Sequence, residues 1–245
     1  MKYLYILLFL VTGTLVSCVQ DDTDGVSSIT NYPIITVNGP SFMVVNQGDT
    51  YVDAGAVSTE NGAEIETTTS ISNGTYFGAA GVDTNSPDQY IVTYSALNAD
   101  GFSGNASREV WVANTGDLTT SIEGLYTSST QRAPSFTPSA QYNDMEYVII
   151  AKTGANTYAI SHAIGGYYAY GRGYGSAYAA QGAVITVNDI ASNDFSISQA
   201  VFPAWGNTVD ITDFKVDSAN KAITFTGNGN FGNGTFKVQL KQVQF

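Results

Sequence analysis

A single cysteine, a single histidine and only nine Lys and Arg in 245 residues remove several kinds of chemistry at once. One cysteine excludes a disulfide framework and a cysteine-cluster zinc site, and one histidine excludes any centre that needs two. The nine basic residues face 21 acidic ones, for a net charge of −12, which disfavours a nucleic-acid partner because phosphate binding needs a basic footprint. Charged residues make up only 12% of the chain. Apart from alanine, strong helix formers are also scarce. What abounds is Thr, Val, Ile, Asn, 25 Gly, 16 Tyr and 12 Phe, a composition of strands and turns.

The longest apolar run comes first. Lys2 precedes Tyr3 to Val11, and Thr12-Gly13-Thr14 follows, giving a charged start and an apolar stretch short of the about 20 residues a bilayer span requires. It ends in Leu15-Val16-Ser17-Cys18, which resembles the bacterial lipobox. That resemblance implies cleavage after residue 17 and lipidation of Cys18, the only cysteine. The alternative is an ordinary signal peptide with an incidental cysteine. The cluster Asp21-Asp22-Thr23-Asp24 resembles the surface-export signal of Bacteroidota lipoproteins, implying a protein anchored in the outer membrane and facing the cell exterior. Residues 18–32 are polar and lack periodicity, as expected of a lipidated flexible tether.

The remainder reads as all-β in two parts. In 33–113, short strand-like runs alternate with turn signals such as Asn38-Gly39-Pro40, Asn61-Gly62 and Asp100-Gly101. Tyr90, Val92, Tyr94 and Ala96 share one face of their run, the alternation of a half-buried antiparallel strand. Ile35-Thr36-Val37-Asn38-Gly39, Gly48-Asp49-Thr50-Tyr51-Val52-Asp53-Ala54-Gly55 and the closing Tyr90 to Val110 resemble the immunoglobulin-like domain of pesticidal crystal proteins and many bacterial surface proteins. The resemblance implies a β-sandwich serving as spacer or adhesion unit, and no particular activity.

Residues 114–119 read as a linker. The segment 120–245 shows candidate strands at 122–127, 145–152, 157–162, 164–170, 182–188, 194–199, 208–216, 222–227 and 234–243, an antiparallel meander closing into a barrel or folding as a sandwich. Charge divides unevenly. Segment 33–113 has nine acidic residues against Arg108 alone, whereas 120–245 has eight against seven. A neutral ligand is therefore expected on the second part.

Its most unusual stretch runs from Ile164 to Tyr178, with Tyr167, Tyr168, Tyr170, Tyr174 and Tyr178 among glycines and around Arg172. Glycine permits close backbone approach, and tyrosine offers a flat apolar face with one hydroxyl, suited to a sugar ring, a peptide or a partner protein. Trp205, in Phe202-Pro203-Ala204-Trp205-Gly206, is a second candidate contact residue. The same residues would equally fill a curved hairpin or barrel wall. His162 has no Ser or Cys motif beside it and reads as a strand-end polar residue. The pairs Glu64/Glu66 and Asp144/Glu146 read as solvated faces. Asn98-Ala99-Asp100-Gly101 and Asp83-Asn85-Asp88 lack the full calcium loop, and Asp217-Ser218-Ala219 fits a Bacteroidota O-glycosylation pattern.

No catalytic set, metal or cofactor is expected. The whole layout resembles accessory surface lipoproteins of starch-utilisation-type nutrient-uptake loci in Bacteroidota. That implies a non-catalytic subunit beside a TonB-dependent transporter and its lid lipoprotein, capturing glycan or peptide or scaffolding the complex. The alternative is an adhesin or structural surface protein acting through its immunoglobulin-like domain.

Overall fold

The structure, a computed structural model, describes residues 29–245. The expected leader, Cys18 and the acidic cluster behind it lie outside the described residues.

Seven strands form the first unit: β1 (Ile34–Val37), β2 (Phe42–Asn46), β3 (Ala56–Glu60), β4 (Ala63–Ile65), β5 (Thr68–Ile71), β6 (Asp88–Leu97) and β7 (Ser103–Ala113). They make two sheets, ordered β1-β3-β4 and β2-β7-β6-β5, with β2 parallel to β7 and the other pairings antiparallel. This is the expected sandwich, and β6 carries the expected alternation: Tyr90, Val92, Tyr94 and Ala96 are buried while Thr93 and Ser95 are not. Tyr90, Val92 and Tyr94 build the core together with Val45, Val110 and Val112. The strand β3 carries little local strand signal, because Ala-Val-Ser-Thr-Glu is weakly apolar and short. Arg108 is buried and pairs with Asp53, its guanidinium also donating to the carbonyls of Pro40 and Asn38, which offsets the cost of removing a charge from water.

Nine strands form the second unit: β8 (Gly124–Arg132), β9 (Met145–Lys152), β10 (Thr157–Ile160), β11 (Ala183–Asp189), β12 (Asp194–Ile197), β13 (Ala200–Val201), β14 (Thr208–Asp217), β15 (Ala222–Gly229) and β16 (Thr235–Gln242). Each pairs antiparallel with its neighbours in the order β12-β11-β10-β9-β8-β16-β15-β14-β13. The two ends of that order are consecutive in the chain. The run 194–201 pairs with β11 through β12, bridges Gln181 from Val201, and pairs with β14 through β13, so the curled sheet closes on itself as a meander barrel. Inward residues alternate along the strands, as in β16, where Phe236, Val238, Leu240 and Gln242 are buried between exposed Lys237, Gln239 and Lys241.

The segment 114–119 is no bare linker. Leu118 is buried with Ile122 in the barrel core, and the Gly116 and Leu118 amides donate back to the carbonyls of Glu123 and Ser121, so the connection seals one end of the barrel.

The two units share a third apolar cluster, in which Trp111, Tyr76 and Val44 of the sandwich meet Leu125, Ile149, Tyr147 and Tyr170 on the barrel's outer wall. This explains why Val110-Trp111-Val112-Ala113 is apolar without alternation: Val110 and Val112 face the sandwich core and Trp111 and Ala113 face the barrel. Tyr76 is delivered by a loop that Asp88 organises, its carboxylate accepting from the amides of Tyr76, Phe77, Gly78 and Gln89. Asp88 therefore serves backbone amides in the place where a cation ligand had been considered.

Candidate functional site at the loop end of the barrel

In an up-and-down barrel every second connection emerges at the same end. Here those connections are 133–144, 161–182, 202–207 and 230–234, the first two much longer and the last two slightly longer than the four-residue turns at 153–156, 190–193 and 218–221 at the other end. The tyrosine-rich stretch and the Trp205 tip thus meet although they are distant in sequence.

The expected strand over 164–170 does not exist. Gly165 and Gly166 both have positive φ (62° and 78°), which reverses the chain, and Tyr167–Gly171 then forms one π-helical turn. The close approach that glycine permits is made here to the barrel itself: a Cβ on Gly165 would lie 2.4 Å from Ser128 Oγ and 2.7 Å from Val238 Cγ1. The chain next folds back, the Tyr174 and Gly175 amides donating to the carbonyls of Tyr168 and Ala169. The Ala204 amide donates to the Ala177 carbonyl and fastens the tryptophan tip to this loop.

Tyr167 and Tyr168 are buried, at 5% and 8% exposure, and form the floor. Tyr168 packs edge-on against Trp205 at 4.9 Å and against Phe202 at 5.9 Å. Above it, Tyr174 (50% exposed), half-buried Tyr178 and Trp205 (43% exposed) form an open cluster with centroid separations of 4.8–6.4 Å. Such exposed aromatic surface on a rigid frame is the kind that marks recognition.

Tyr170 points the other way. Its hydroxyl meets that of Tyr76 and donates to the Tyr147 carbonyl at 2.8 Å, placing it in the contact between the two units. Burial pushes its phenol well above the ordinary range. Tyr170 therefore belongs to the junction and not to the open cluster. The structure brings together Tyr168, Tyr174, Tyr178 and Trp205, with Tyr167 and Arg172 beside them.

Arg172 is exposed, and Arg132, at the end of β8, is half-buried. Their guanidinium carbons lie 5.8 Å and 5.7 Å from the centroid of the Tyr167 ring, which stacks on Tyr142 at 4.2 Å. Arg132 also lies over Tyr168 and Phe236. Burial raises the Tyr167 phenol, but the Tyr142 hydroxyl and the two guanidinium groups outweigh it and bring the phenol below its ordinary value. Neither arginine pairs with a carboxylate among the described residues, where Arg108 with Asp53 is the ion pair present. Arg132, Tyr142, Phe231 and Phe236 escaped the sequence reading, although counting alternate connections of the meander would have placed them at this end.

His162 follows β10 and is fully buried. It accepts or donates at Ser161 Oγ through Nδ1 (2.7 Å), and its ring lies 4.8 Å from Tyr76 and 4.7 Å from Tyr170. Desolvation pushes its pKa down to about 3. A separate concavity of about 390 Å³ lies outside the barrel across β14, β15, β16 and β8, lined by Lys215, Lys237, Gln131 and Thr224, and carries no exposed aromatic ring.

These features define a class: a surface-protein immunoglobulin-like module followed by a meander barrel whose loop end presents aromatic rings. Residues 35–112 match the family model of the bacterial surface protein immunoglobulin-like domain. The chain belongs to the family whose model, described as a "-like, C-terminal domain", matches residues 115–242. Among solved structures, it resembles the crystal structure of the lipoprotein BT2262 from Bacteroides thetaiotaomicron, with 27% identity and a TM-score of 0.66 over 86% of this chain and 100% of that one. No curated protein matches. No helix of the described residues is long and apolar enough to cross a membrane.

Proposed function

We propose that this chain is a non-catalytic lipoprotein of the outer membrane, anchored through Cys18, whose barrel captures a ligand as an accessory subunit of a TonB-dependent nutrient-uptake complex. The similarity to a Bacteroides lipoprotein and to a surface-protein module supports the cellular setting. The observation that carries ligand capture is the open Tyr174–Tyr178–Trp205 cluster, held by two loops fastened to each other and floored by Tyr168. In this reading the immunoglobulin-like unit is a spacer, with Trp111 and Tyr76 fixing the barrel to it, so that the loop end has a set direction. The lone histidine is fully buried against two tyrosine rings in that contact and does not line the open aromatic cluster, which supports binding over acid–base chemistry.

The test is to isolate the lipidated protein from gently solubilised outer membranes and identify what accompanies it. A TonB-dependent transporter in stoichiometric amount is expected. A folded Trp205→Ala, Tyr174→Ala variant is expected to keep the transporter and lose the ligand. Isolation of the protein alone, together with ligand capture that ignores the double substitution, would overturn the reading.

A further inference from the structure

The loop end differs in charge from the rest of the molecule. The chain carries 21 carboxylates, yet the four connections 133–144, 161–182, 202–207 and 230–234 contain one, Asp144, which accepts from the Asn143 side chain. Against it stand Arg172 within those connections and Arg132, the last residue of β8, without a carboxylate partner among the described residues and converging on one ring. Arg132 donates from Nε to the Asn233 carbonyl at 2.8 Å and from one terminal nitrogen to the Gly232 carbonyl at 3.4 Å. Those contacts fix its plane and leave further donors of the fork for another acceptor. The spot is locally cationic on an acidic protein, and it adjoins the exposed rings through Tyr168, which touches both Arg132 and Trp205.

We infer that the ligand is a carboxylated glycan, its sugar ring against Tyr174, Tyr178 or Trp205 and its carboxylate at Arg172 and Arg132. This inference rests on the capture of a ligand at the loop end and corrects the expectation of a neutral one, which came from the net charge of the whole segment 120–245. A guanidinium fork matches a carboxylate in geometry as well as charge. A sugar is favoured over an acidic peptide because peptides are commonly held by adding a strand to an open sheet edge, and this sheet closes on itself.

The experiment is titration of the lipidated full chain in detergent with three carboxylated glycans (oligogalacturonate, hyaluronan oligosaccharide and polysialic acid). Each is compared with its carboxyl-reduced form, and polyglutamate serves as the peptide probe. At least one acidic glycan should bind, more weakly at higher salt, and its carboxyl-reduced form should bind about tenfold worse, as for one lost charge-assisted contact. Arg172→Gln should cost a similar factor and flatten the salt dependence, whereas Lys152→Gln, at the exposed end of β9, should do neither. Because Arg132 packs on three rings, its weight is read from Arg132→Lys, which keeps the charge and loses the fork. Equal binding of acidic and reduced glycans, abolished by Trp205→Ala, would overturn the carboxylate while leaving capture at the loop end intact. Arg172-dependent binding of polyglutamate alone would overturn the glycan. Binding of no acidic glycan would overturn the inference outright, and the transporter isolation above would then decide the broader function by itself.

Discussion

Replacing His162 by Phe should remove a pH dependence of stability that the contact between the two units imposes. The imidazole is fully buried between Tyr76 and Tyr170, and desolvation pushes its pKa down to about 3. In the unfolded chain it titrates near 6.5. Between those values the unfolded state holds a proton that the folded state does not, so stability falls as the pH drops from 6.5 towards 3 and levels off below. The slope is about 1.4 kcal/mol per pH unit, so moving from pH 6.5 to 4.5 costs roughly 2.5 kcal/mol from this residue alone. For a chain of this size that corresponds to roughly 5–10 °C in Tm. Phe is larger and loses the Ser161 hydrogen bond, which shifts stability equally at every pH, but it retains an aromatic ring between the tyrosines and does not titrate. Thermal unfolding of both proteins at several pH values between 4.5 and 7 isolates the difference, since the carboxylates contribute equally to each. H162F is expected to lose less stability towards acid by that amount. Parallel pH profiles for the two proteins would refute the assignment of His162 as a neutral, desolvated group in the junction.

Other substitutions probe the frame. Trp111→Ala should cost about 3–5 kcal/mol by opening a cavity in the junction, and calorimetry should show the single transition separating into two. Asp88→Ala removes the acceptor of four backbone amides and should cost about 3 kcal/mol, with faster hydrogen exchange confined to 74–78 and 89 if the loop is organised as described. Gly165→Ala combines a positive φ with a Cβ placed 2.5 Å from Thr130 Oγ1, so denaturant unfolding should report a loss of roughly 2–5 kcal/mol, and an unchanged midpoint would contradict the packing of that loop against β8 and β16. Trp205→Ala should quench much of the intrinsic fluorescence while leaving Tm nearly unaltered, because the indole is 43% exposed and sits on the loop end outside the strands.

Much of the architecture was legible in the sequence because strands announce themselves locally. The runs at 145–152, 208–216 and 222–227 became β9, β14 and β15 nearly residue for residue, since alternation and turn residues are properties of neighbours along the chain. The exception at 164–170 has an equally local cause. Two adjacent glycines adopt left-handed conformations that the apolar content of Ile164-Gly165-Gly166-Tyr167-Tyr168 conceals, and a reversal followed by a π-helical turn replaces the strand.

The residues proposed to bind were also visible as an aromatic stretch, but their partition was not. Tyr168, Tyr170 and Tyr174 lie within one turn and a reversal of each other, yet one forms a floor, one joins the two units and one faces solvent. That division follows from which wall of the barrel each side chain meets, and no spacing rule along the chain encodes it. The same holds for the arginines. Sequence composition determined an acidic chain, a nearly balanced second part and an all-β fold. Only barrel closure, by bringing four separated connections with Asp144 as their one carboxylate to one end, gathered Arg132 and Arg172 around Tyr167, because local charge depends on which loops converge in space and net charge does not.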